Sequence, residues 1–114
     1  MSSTPNLSLP TLPANSLQPS VVLNDALQLI DALLHLAVED RDLAAPPETV
    51  AADAGKRWII GASPTGAWAG KAGQIALCTG EGLWRFIEPK PGFRAWVIDE
   101  AVDCRYSAGA WSVV

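Results

Sequence analysis

VVLNDALQLIDALLHLAVEDRD, residues 21–42, is the stretch whose reading decides the fold, because it is the longest periodic segment of the 114-residue chain. Spaced on a helix, Asn24, Gln28, Asp31 and His35 recur at steps of four and three, which makes one narrow polar stripe. Two apolar seams flank it. Val22, Ala26, Leu29, Leu33 and Leu36 form one, and Leu23, Leu27, Ile30, Leu34 and Ala37 form the other. Together the seams span about half the circumference, wider than the ~100° stripe with which a surface helix meets its own core. A single small domain covers one seam, so the second, Leu23 to Ala37, is the expected oligomer interface. Ser20 or Asn24 is the expected N-cap, with Asp25 placing negative charge in the first turn.

Working outward toward the N-terminus, residues 1–20 hold prolines at 5, 10, 13 and 19 and show neither a helical nor a strand period. Proline fixes its own φ and extends the residue before it, so an extended arm is expected. Leu7, Leu9, Leu12 and Leu17 are spaced through that arm. Disordered tails are poorer in large apolar groups, so the arm is expected to anchor on a neighbouring surface.

Toward the C-terminus, Glu39 to Asp42 break the apolar rhythm, Pro46 and Pro47 forbid further helix, and residues 43–56 read as a linker. One helical turn is expected near Val50 to Ala54, stopped by Gly55. From Arg57 the punctuation becomes that of an antiparallel β-meander, with strands expected at 57–61, 73–78, 83–87, 95–99, 102–106 and 110–113. The expected fold class is therefore α+β: an extended proline-rich arm (1–20), one long amphipathic helix (21–42), a linker (43–56) and a small barrel-like antiparallel domain (57–114).

Apolar residues make up 49% of the chain, and there are five tryptophans. That is more apolar surface than so short a chain readily hides, which again favours a homo-oligomer. A net charge of −4 without any cluster of Lys or Arg argues against nucleic acid and against anionic membranes as partners. No apolar run approaches the ~20 residues of a membrane span, and the polar N-terminus lacks the pattern of a signal peptide.

The available chemistry is sparse, and no catalytic residue, metal site or cofactor is expected. His35 is the only histidine, and it falls on the polar stripe. Cys78 and Cys104 lack metal-binding spacing and read as buried free thiols. The acidic turns around Asp99, Glu100 and Asp103 and around Glu39, Asp40 and Asp42 lack the rhythm of a calcium loop. Trp58, Trp84 and Trp96 lie inside apolar strands and are expected in the core. Trp68 and Trp111 follow glycine turns and are the candidate glycan contacts, since indole faces stack on sugar rings.

The order LPTLP, NDALQLIDALLHLAVEDRDLAAPP, TGAWAG (65–70), AWVIDE (95–100) and a closing GAW resembles a prophage and gene-transfer-agent family with a domain of unknown function. Its members are found among phage tail, fibre and spike genes. The resemblance implies a structural virion protein supporting host attachment. Together with the second helix seam, it makes a homotrimer the expected assembly, in contact with other virion proteins of tail, baseplate or capsid, located in the virion and assembled in the host bacterial cytoplasm. A small glycan-binding module of an attachment apparatus is the alternative. The chain departs from the family pattern ahead of the helix, where Gln18-Pro19 and Val22 stand in place of a Gln-Lys pair and a threonine. Only SVV follows Trp111, so an adaptor, base or short fibre is expected in preference to a complete adhesin.

Overall fold

A computed structural model describes residues 3–11 and 20–114, and the chain is α+β as expected. It forms two compact units, Met1–Leu34 and His35–Val114. The first contains helix α1, Ser20–Leu33, preceded by the arm. Asn24 and Asp25 lie in the second turn of α1, so the helix begins before the alternative cap at Asn24, and its first turn carries no acidic residue.

The helix stops well short of Asp42. The Leu34 amide still donates to Ile30 O at 2.9 Å, but His35 takes φ +54°, in the left-handed region that ends helices. From there the apolar residues follow a period of two. Leu36 and Val38 are buried while Ala37 between them is half-buried, and β1 (Ala37–Val38) pairs in parallel with Trp96 and Val97 of a later strand. Ladder partners thus override a helical pattern that local sequence alone could have continued.

In the second unit each of the six strands expected beyond residue 56 is present, as β2 (Arg57–Ile59), β3 (Ile75–Gly80), β4 (Leu83–Ile87), β5 (Arg94–Val97), β6 (Val102–Ser107) and β7 (Ala110–Val113). They form two sheets, β1-β5-β6-β7 and β2-β3-β4, antiparallel except for the β1–β5 pair. All three residues of β2 and the first four of β3 are buried, the continuous pattern of strands covered on both faces. In β5 burial alternates instead, with Ala95 and Val97 inward.

The segment 36–43 joins the sheets. On one side Leu36 and Val38 accept from Trp96 and Ile98. On the other, Glu39 donates to Arg57 O (2.7 Å), and Asp40 and Leu43 accept from Ile59 (3.0 Å) and Gly61 (2.8 Å). A further tie comes from Trp111, whose indole Nε1 donates to Gly73 O at 2.8 Å.

Residues 43–56, expected as a linker, belong to this second unit. Ala44 O accepts from the Thr65 amide, the buried Thr49 hydroxyl accepts from the Gly82 amide at 2.7 Å, and the expected turn is a 3-10 turn at Ala51–Asp53. One core cluster of this unit is aromatic. Trp58, Ile60, Trp68, Ala76 and Cys78 are buried together, with Leu43, Trp84 and Phe86 packed against them. Cys78 and Cys104 are both free and buried. No helix among the described residues is long and apolar enough to cross a membrane.

Candidate functional site

Two faces of α1 carry features that packing of a small domain does not require. On the polar stripe, Asp31 is only 2% exposed, and the arm is what clasps it. Its Oδ1 accepts from the Thr4 hydroxyl and the Leu7 amide. Its Oδ2 accepts from the Asn6 amide and the Asn6 side-chain Nδ2, each at 2.9 Å. Burial pushes the Asp31 carboxyl up, but the donors from Thr4, Leu7 and Asn6 outweigh it and hold the group below the usual carboxylate range.

The arm thus docks on the chain's own helix. Leu7 and Leu9 are half-buried there, while Leu12 and Leu17 fall outside the described residues. The signal in the sequence is Thr4-Pro5-Asn6, since hydroxyl and amide side chains beside a proline favour local turns that leave backbone amides free to meet an acceptor.

The apolar seam runs beside this stripe on the helix. Leu23, Ile30 and Leu34 are 45%, 48% and 52% exposed, and Leu27 between them is half-buried. Val21 and Val22 add exposed apolar surface at the start of the helix. Ala37 does not continue this seam, because it belongs to β1, and Leu34 sits in the turn after the last helical residue.

The aromatic candidates are redistributed. Trp68 cannot stack on a ligand, since it is fully buried with its ring 5.2 Å from Trp84 and 6.5 Å from Trp58. The glycine turn read as presenting it is a 3-10 turn, Gly66–Trp68, with Gly66 at φ +63°, and the indole lies in the core. Trp111 is half-buried, with its N–H committed to Gly73 and its ring edge-on to Tyr106 at 5.3 Å. It borders an open cleft of about 420 Å³ that Arg41, Asp42, Ile59 and Ala62 also line.

Trp96, expected in the core, is 45% exposed. The period-two alternation of RAWV decides this, because Ala95 and Val97 take the inward positions. Cross-strand register puts Asp103 opposite Trp96 and Arg105 opposite Arg94, all four exposed on one face of the sheet.

The acidic turns meet at one place. Carboxylate oxygens of Asp40, Asp42 and Glu100 lie within 4.8 Å of one another. Glu100 is already engaged by Arg41, whose Nε and Nη2 donate at 2.8 and 2.9 Å, and that pairing lowers the Glu100 pKa. Asp40 Oδ1 accepts the Arg41 and Asp42 amides, so this oxygen is used to shape the turn. Loss of hydration, then the neighbouring charges of Asp40 and Glu100, push Asp99 up. The cluster reads as an ion-paired turn, and Asp103 stands apart from it on β6.

No curated protein matches the sequence. A family described as "Protein of unknown function (DUF2793)" matches residues 23–112, which takes in most of α1 and nearly the whole second unit but leaves out the arm. With the match running across both the helix and the two sheets, the chain belongs to the DUF2793 family.

Proposed function

We propose that the chain is a structural subunit of a phage or phage-like particle, a tail fibre, spike or baseplate adaptor that supports host attachment and assembles as a homo-oligomer through α1. The observation that carries the reading is the exposed apolar seam of Leu23, Ile30 and Leu34 on a helix whose adjoining polar stripe is taken up by its own arm. The resemblance of the sequence to prophage and gene-transfer-agent proteins supplies the setting. A trimer is the favoured number, since three copies of one helix can bury a wide apolar arc around a common axis. Other virion proteins of tail, baseplate or capsid are the remaining partners.

The test is light scattering on purified protein at micromolar concentration. The wild type should run as an oligomer. Ile30→Asp and Leu27→Asp should each shift it to monomer while tryptophan emission from the second unit stays unchanged. A monomeric wild type would overturn the proposal.

The alternative, a small glycan-binding module, is favoured by one observation, the outward Trp96 with Arg94, Asp103 and Arg105 on the same sheet face. An exposed indole beside charged hydrogen-bonding groups is a sugar-stacking arrangement, and Trp111 at its cleft is the second aromatic available. Tryptophan emission titrated with bacterial envelope polysaccharide should shift in the wild type and lose most of that shift in Trp96→Ala. An unchanged spectrum with every polysaccharide tried removes this reading.

A further inference from the structure

The arm holds Asp31 in an arrangement that its own residues prefigure. Thr4 N donates to Leu9 O at 2.9 Å, Ser8 N donates to Thr4 O at 3.1 Å, and Leu9 N donates to the Thr4 hydroxyl at 2.8 Å, while Ser3 and Pro10 bridge across the base. These bonds stay within residues 3–10, so they close the loop without help from the helix. What the closed loop presents is a set of donors, two backbone N–H groups, a hydroxyl and a side-chain amide, all converging on the two oxygens of one carboxylate. Donors of this kind, meeting an ionised acceptor out of water, form the stronger class of hydrogen bond. Residues 3–11 include no titratable side chain, so the arm itself sets no competing charge beside the carboxylate.

We propose that residues Thr4–Leu9 are a carboxylate-binding clip and that Asp31 is its resident ligand in the isolated chain. The polar bonds between arm and helix converge on one chemical group, so one carboxylate can replace another in the clip. A carboxylate side chain on a neighbouring subunit is the partner chemistry it fits. That extension rests on the structural-subunit reading, whereas the clip itself does not.

The experiment uses the full chain with Asp31→Ala, which removes the resident carboxylate and leaves room for a small one. Hydrogen exchange at the Asn6 and Leu7 amides is measured in sodium acetate and in sodium chloride at matched ionic strength. In chloride, protection of both amides should fall at least about tenfold from wild type, the equivalent of losing one charge-assisted hydrogen bond. Acetate should restore part of it and chloride none.

Wild-type protection in Asp31→Ala, or no recovery with acetate while far-UV circular dichroism still reports the helix, overturns the proposal. If Asp31→Ala loses the helix, Thr4→Val decides instead. Faster exchange at Leu7 and Leu9 with the helix retained supports the clip, and unchanged exchange overturns it. Acetate rescue in a protein that scatters light as a monomer would remove the oligomer reading and leave the clip standing.

Discussion

Trp68→Ala should lower the stability of the second unit by about 3–5 kcal/mol, the range for truncating a large buried aromatic. Trp68 has no exposed surface and completes a triangle of indoles with Trp58 and Trp84, whose mutual edge-on contact is 5.4 Å between centroids. Deleting the ring removes both its transfer free energy and its edge-to-face contacts, and it leaves a cavity that β2 and β3, buried on both faces, cannot close by moving. The Trp68 Nε1 has no hydrogen-bond partner among the described residues, so Trp68→Phe should cost markedly less than Trp68→Ala. Urea unfolding followed by far-UV circular dichroism measures both variants, and a loss below about 1 kcal/mol for Trp68→Ala would refute this account of the core.

Gly61→Ala is expected to cost about 1–3 kcal/mol, out of proportion to a single methyl group. A Cβ built at Gly61 would stand 2.8 Å from Asp42 O and 3.0 Å from Leu43 O, and both are backbone atoms that cannot swing aside. The Gly61 amide also donates to Leu43 O at 2.8 Å, so pushing the strands apart sacrifices a bond that links the two sheets. The control is Gly73→Ala, where a Cβ meets nothing within 4 Å and the cost comes only from the positive φ of 79°. A thermal melt in which Gly61→Ala unfolds with the wild type would show that the crossing is looser than described.

The β-half was legible because its strands are short apolar runs between glycines and prolines, and turn chemistry is local. The arm's partner was not legible. A carboxylate at residue 31 and its donors at residues 4–7 are joined only by folding, and on a helical wheel Asp31 looks like any solvated stripe residue. The end of the helix was missed for a related reason. HLAV continues the apolar period acceptably, and only pairing with β5, about sixty residues later in the chain, makes Ala37–Val38 a strand.

Trp68 and Trp96 exchanged roles because the strand reading counted how apolar the neighbours are and not which way they alternate. Arg94 and Trp96 share one side of β5, and the charged residue already marks that side as outward. For the candidate site, the seam of Leu23, Leu27 and Ile30 was visible from spacing alone. The clip on the adjoining polar stripe required three-dimensional proximity.

The segment 36–43 hydrogen-bonds to β5 along one edge and to β2 along the other, so neither sheet owns it. This governs the order in which the second unit can assemble. The hairpins β3–β4, β5–β6 and β6–β7 close short loops and can form early, whereas the shared segment gains its bonds only when partners from distant parts of the chain are both in place. Pulling it out exposes an edge of each sheet at once, so the two sheets melt as one cooperative body.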